Sequence, residues 1–299
     1  VNSGAISATG VRTTVNATNV TLNVAGNIGA AGNAIGTITA DAANIKATGD
    51  VTANDITLVK GGSVTSKSIT VGNSIENADG TLLAVESITA TDKDLKQAAD
   101  GKLTVMAGGT ITAKDISATN VTAKKLAASG DVAVDGGTLT LTGTDTDAST
   151  VASLKLTNGT QATVADLELT GAGTITVGTG DDTVGGTTLS AQHINLYGGM
   201  LLVDPAWGLT SSNVAVESLS ATTAADDITV NGSVGVGQNS YLALGTKDTT
   251  WLPGVVAGYT NGEGLSKDGI TAALGVFEGI QIAGGEGLVV NGSLTDTGL

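Results

Sequence analysis

The chain has 299 residues, a net charge of −15, one arginine (Arg12) and a sequence pI near 4.2. Nucleic-acid binding depends on cationic side chains displacing counterions, so this balance excludes a duplex or single-strand binder, and the same sign argument disfavours anionic membranes. Forty-four glycines with only two prolines exclude collagen, and the absence of cysteine leaves stacking as the means of holding a loop-rich chain together.

Hydrophobic residues make up 40% of the chain but aromatics only 2%, so the apolar content is Val, Ile, Leu and Ala. Mean hydropathy is +0.24, and the aliphatic residues recur at strand spacing, which argues against disorder. In chain order, triplets with a polar or small centre appear as Val20-Thr21-Leu22, Ile38-Thr39-Ala40, Val51-Thr52-Ala53, Ile56-Thr57-Leu58, Ile69-Thr70-Val71 and Ile88-Thr89-Ala90. They continue as Ile111-Thr112-Ala113, Val121-Thr122-Ala123, Leu139-Thr140-Leu141, Leu167-Glu168-Leu169, Ile175-Thr176-Val177 and Leu242-Ala243-Leu244. Each reads as the in-out-in alternation of a short, half-buried strand. Between Val51 and Val64, and again between Ile56 and Ile69, the offset is thirteen residues.

Links of two or three residues turn corners and do not carry the Asn-Gly or Asp-Gly signal of a hairpin. A chain that turns a modest corner every few residues winds into a right-handed parallel β-helix, a β-solenoid with short excursions. At roughly 20 residues per coil, such a chain makes about 14 coils. Aliphatic layers fill its interior, and threonine, β-branched and hydroxylated, suits the outward positions.

Two stretches depart from this pattern. The segment 91–101 reads as a short helix with Thr91 as its cap, Asp92 and Lys96 four residues apart, and Gly101 as its stop. The second departure is compositional: no aromatic precedes Tyr197, whereas Trp207, Tyr241, Trp251, Tyr259 and Phe277 follow it. The expected organisation is therefore a parallel β-helix over 1–245, with the helical excursion near 91–101, and irregular Gly-rich coils or a cap over 246–299 continuing the solenoid.

The text Gly49-Asp50-Val51-Thr52-Ala53, followed by Ile56-Thr57-Leu58 and Gly61-Gly62-Ser63-Val64-Thr65, resembles the passenger regions of bacterial autotransporter adhesins and filamentous-haemagglutinin-like exoproteins. The resemblance covers roughly 1–245 and lies in repeat style. It implies an extracellular or surface-displayed rod for adhesion, aggregation or biofilm, whose partners are host or bacterial surface glycans or proteins, or other copies of itself. The lack of an initiator Met and of a signal-type stretch at Val1 suits a fragment of a larger exported protein. No segment reaches the length of an apolar membrane span, so no membrane insertion is expected of this segment.

Material for chemistry is sparse. Gly178, Gly180, Asp181 and Asp182 resemble one copy of a calcium-binding glycine-aspartate nonapeptide, but no second copy follows, so a tight turn is the simpler reading and calcium the alternative. Acid pairs at Asp92/Asp94, Asp145/Asp147, Asp181/Asp182 and Asp226/Asp227 lack the basic residues or dense acid clusters of polysaccharide-cleaving β-helix enzymes. His193, next to inward Ile194, reads as an outward strand residue without a sequence partner. Asn-x-Ser/Thr sequences at Asn16, Asn19, Asn120, Asn158, Asn231 and Asn291 fit turns as well as modification. Tyr241, Trp251 and Tyr259 are the candidate ligand-binding residues, with coil filling as their plainer role. The expected protein is a non-enzymatic adhesin passenger without a resident cofactor; a self-assembling layer or filament subunit is the second reading and a carbohydrate enzyme the third.

Overall fold

A computed structural model of the chain describes residues 1–8, 13–171, 173–179 and 181–194 with their side chains, and beyond them the backbone of the strands from Met200–Val203 to Leu294–Asp296. The protein is an all-β, parallel β-solenoid. It divides into two compact units, Val1–Val134 and Asp135–Leu299.

The first unit is three-sided. On its first side the inward file runs Ile6, Ile28, Val51, Ile69, Ile88, Ile111 and Leu126, each paired in parallel with the next. The second side stacks Val15, Ile38 and Ile56, and further along Ile75, Leu95 and Ile116. The third stacks Leu22, Ile45, Val64, Leu82, Val105 and Val121. From Ile28 to Leu126 the first file has no solvent exposure, and the third has none from Ile45 to Val121. Complete burial of such a side chain is worth about 1.5–3 kcal/mol against leaving it exposed, so these files supply most of the unit's stabilisation. Because every layer repeats the previous one, an aliphatic side chain finds a like-sized neighbour above and below; a ring would force its neighbours apart.

This register explains the thirteen-residue recurrence. Val51 pairs with Ile69, eighteen residues on, whereas Val64 belongs to the third side. The thirteen-residue offset therefore relates strands on different sides of one coil, and the coil itself varies from 15 residues (Ile111 to Leu126) to 23 (Ile88 to Ile111).

The helix expected over 91–101 is not formed. Lys93 N donates to Ala90 O at 3.0 Å across a turn in which Asp92 has φ 56°, and Leu95–Gln97 is a strand. Leu95 is the segment's one large aliphatic residue. The coil needs it between Ile75 and Ile116, where it is fully buried, and a helix here would have no apolar face to bury in exchange. Parallel ladder bonding, Leu95 N to Asp115 O at 2.8 Å and Ile75 N to Asp94 O at 2.8 Å, outweighs the local capping signal.

Corners are built from a recurring polar device. Asn27 Oδ1 accepts from Asp50 N of the next coil at 2.9 Å, and Asp115 Oδ1 accepts from Asp131 N at 3.0 Å. In both, the residue before the donor is glycine, because a Cβ on Gly49 or Gly130 would collide with that same side-chain oxygen. The Gly-Asp-Val text is thus a docking point for the Asn or Asp of the preceding coil.

In the second unit one file pairs Leu139, Ala162, Leu189, Val214, Leu242 and Ile280. Another pairs Leu154, Ile175, Leu201, Val234 and Leu294. Of the expected C-terminal region 246–299, only the backbones of Val255–Val256, Ile270–Thr271, Gly279–Ile282, Leu288–Val290 and Leu294–Asp296 are described, and the first two pair antiparallel.

Candidate functional site

Among the described residues, three polar groupings stand on the solenoid surface, and none was visible as a group in the sequence. In the first unit, parallel register places Asp94 and Asp115 at matching points of adjacent coils, just before Leu95 and Ile116. Stacked like charges repel, and two lysines interleave them. Lys96 Nζ lies 2.7 Å from Asp94 Oδ2 and 3.7 Å from Asp115 Oδ2; Lys114 Nζ lies 3.4 Å from Asp115 Oδ2 and 3.8 Å from Asp94 Oδ1. The Lys96 hydrogen bond holds the Asp94 carboxyl below its ordinary range against an opposing desolvation, and the Asp94 hydrogen bond in turn raises Lys96. With every charge answered by its neighbour, the cluster's chemistry is that of a surface clamp between coils.

In the second unit, Asn158 ties three coils together. Its Nδ2 donates to Asp135 Oδ1 at 2.6 Å, joined there by Thr157 Oγ1 at 2.7 Å, while its Oδ1 accepts from Thr183 N at 2.7 Å and from Thr183 Oγ1 at 3.1 Å. Its backbone takes φ 52°, a left-handed conformation that asparagine tolerates better than most residues. The Asn-x-Thr sequence at Asn158 thus has its amide engaged on both sides.

His193 stands outward, as its strand position implies, with 61% of its side chain exposed. Its Nδ1 lies 2.7 Å from Asp166 Oδ1, and Asp166 Oδ2 accepts from Asp145 N at 2.6 Å. Asp166 precedes His193 by 27 residues, so no local spacing announces the pair; the in-register match of the two strands creates it.

Of the residues read as a calcium motif, Gly178, Asp181 and Asp182 are described. Asp182 is buried and its Oδ1 accepts from Thr179 Oγ1 at 2.9 Å, closing its own turn, while Asp181 is exposed. Gly178 sits at φ 79°, where its N donates to Leu156 O at 2.8 Å; Gly180 lies outside the described residues. Among the described residues no three His, Asp or Glu side chains come together as metal ligands. Of the acid pairs, Asp145 and Asp147 form a 3-10 turn, and Asp226 and Asp227 lie outside the described residues. Trp251 and Tyr259 also lie outside, and Tyr241 is described only as backbone, in Ser240–Leu244, paired in register with Asn213 and Gly279. Among the described residues no helix is long and apolar enough to cross a membrane.

Comparison with protein-family models, with curated proteins and with solved structures finds no match to this chain. The class that the fold defines is the parallel β-solenoid.

Proposed function

We propose that the chain is a non-enzymatic, exported adhesin passenger: an extended scaffold that presents its surface and loops to host or bacterial glycans and proteins outside the cell. The observation that carries this reading is the economy of the core. Three aliphatic files, without cysteine, are closed at their corners by Asn and Asp side chains, and this gives a rigid body that needs no redox chemistry to fold. The sequence resemblance to autotransporter and haemagglutinin-like passengers adds the extracellular setting. The Asp94–Lys96 pair is held as a clamp between coils, which stiffens a scaffold and offers little to a substrate.

The test is attachment. Beads coated with the purified chain are expected to adhere to epithelial or bacterial cells, or to one another, above beads coated with the heat-unfolded chain. Equal adhesion by both preparations, or turnover of an acidic polysaccharide by the folded chain, would count against this function. Recovery of the chain as end-to-end polymers would favour the filament-subunit reading.

A further inference from the structure

We infer that the first side of the Val1–Val134 unit is a binding face for ice. Three successive coils carry Ser68-Ile69-Thr70, Ser87-Ile88-Thr89 and Thr110-Ile111-Thr112 on this side, with each Ile fully buried and the flanking residues outward. The register is direct: Thr52 pairs with Thr70, Thr70 with Thr89 and Thr89 with Thr112, while Ser68 pairs with Ser87. The outer surface is therefore a two-column grid of hydroxyls. Its pitch is about 4.8 Å between coils and about 6.7 Å between columns, the distances that parallel pairing and two-residue strand periodicity impose.

Three observations select the partner. The seven hydroxyls of Thr52, Ser68, Thr70, Ser87, Thr89, Thr110 and Thr112 have no hydrogen-bond partner among the described residues, so each can donate and accept outward. Charge closes the Ser68-Ser87-Thr110 column at both ends, with Asp50 at the rung that matches Ser68 and Lys125 in register with Thr110, and Lys67 pairs with Glu86 at 3.4 Å beside it. The unit contains no aromatic residue on which a sugar ring might stack. A neutral, periodic field of hydroxyls is complementary to a neutral, periodic lattice of donors and acceptors, and ice is such a lattice with repeats of the same order. The stiff β-branched threonine rotamers lose little entropy on contact.

Area separates ice from a protein partner. Seven hydroxyl positions at the same spacings cover roughly 200 Å², against about 800 Å² per partner in a stable complex. A second copy docked on this face alone would fall well short of that, whereas a growing crystal need only be pinned.

The experiment uses the full chain, slowly frozen onto a cold finger, with recrystallisation of a fine-grained ice film as the second readout. The wild-type chain is expected to enter the ice and to arrest grain growth, and Thr89→Tyr, which sets a bulky ring at the centre of the grid, to need about tenfold more protein for the same arrest. Thr81→Tyr, on the third side, should behave as wild type. Should Thr89→Tyr fail to fold by circular dichroism, Thr70→Ala and Thr89→Ala carry the same expectation without added bulk. Exclusion of the wild-type chain from ice would overturn the inference. So would equal arrest by the grid variants, concentration-dependent dimerisation that Thr89→Tyr abolishes, or retention of the wild-type chain on insoluble polysaccharide. The inference stands independently of the adhesin reading, because attachment to cells and entry into ice are separate measurements.

Discussion

In Val1–Val134 the first inward file advances by 15 to 23 residues per coil, whereas the file from Leu139 in Asp135–Leu299 advances by 23, 27, 25 and 28 residues and then by 38 to Ile280. The charges differ as well: the first unit carries 10 Lys and Arg against 11 Asp and Glu, the second 3 against 17. All six aromatic residues belong to the second. Short coils leave little chain outside the three sides, so nearly every residue is either in a file or on a face, and stacked acids must be answered by lysines as at Asp94 and Asp115. The aromatics and the excess of carboxylates thus fall in the unit whose coils are longer.

Core truncation should have the largest effect in either unit. Leu95→Ala in the first and Leu167→Ala in the second each remove a buried side chain from a file, and each is expected to cost about 2–5 kcal/mol in urea unfolding. A cost below 1 kcal/mol at Leu95 would break the claim that it is a file residue. The corner device should come next: Gly130→Ala places a methyl against the Asp115 carboxylate and is expected to cost about 1–3 kcal/mol. The combined variant Gly130→Ala/Asp115→Ala should recover part of this loss. In the second unit, Asn158→Ala strands the bonds to Asp135 and Thr183, for a similar loss of about 1–3 kcal/mol, and protease nicking near Thr183 should rise.

Smaller effects distinguish the clamp of the first unit by pH. Asp94 is lowered from 3.8, so its contribution is complete above that value and disappears as pH falls through the lower, folded pKa. Lys96 is raised from 10.5, so its contribution is complete below 10.5 and is lost as pH rises through the folded value. Asp94→Asn should flatten the acid limb of the melting-temperature profile and Lys96→Met the alkaline limb; unchanged profiles would show that the pair adds nothing to stability. The smallest change is a gain. Ala42 has φ 48°, and Ala42→Gly should stabilise by about 1 kcal/mol or less, since the strain relieved is partly offset by glycine's greater freedom when unfolded.

The triplets made the solenoid legible, because inward aliphatic and outward polar residues alternate wherever a strand forms. The segment 91–101 shows where local reading fails: Thr91, Asp92 and Lys96 satisfy the rules of a helix, while Leu95 answers to Ile75 and Ile116, some twenty residues away on either side. The partnership of Asp166 with His193 escaped for the same reason. So did the hydroxyl grid, whose members were each visible as outward residues but whose alignment depends on coil lengths of 18, 19 and 23 residues that no single period encodes.

Coil register is the central claim, and a pair of spin labels tests it most directly in a chain with no native cysteine. Nitroxides on Thr70→Cys/Thr89→Cys, nineteen residues apart and paired in register, are predicted to show strong spin exchange at the roughly 5 Å spacing of adjacent strands. Labels on Thr52→Cys/Thr65→Cys, thirteen residues apart but on different sides of the coil, are predicted to show none. Exchange in the thirteen-residue pair, with none between residues 70 and 89, would contradict the three-sided coil.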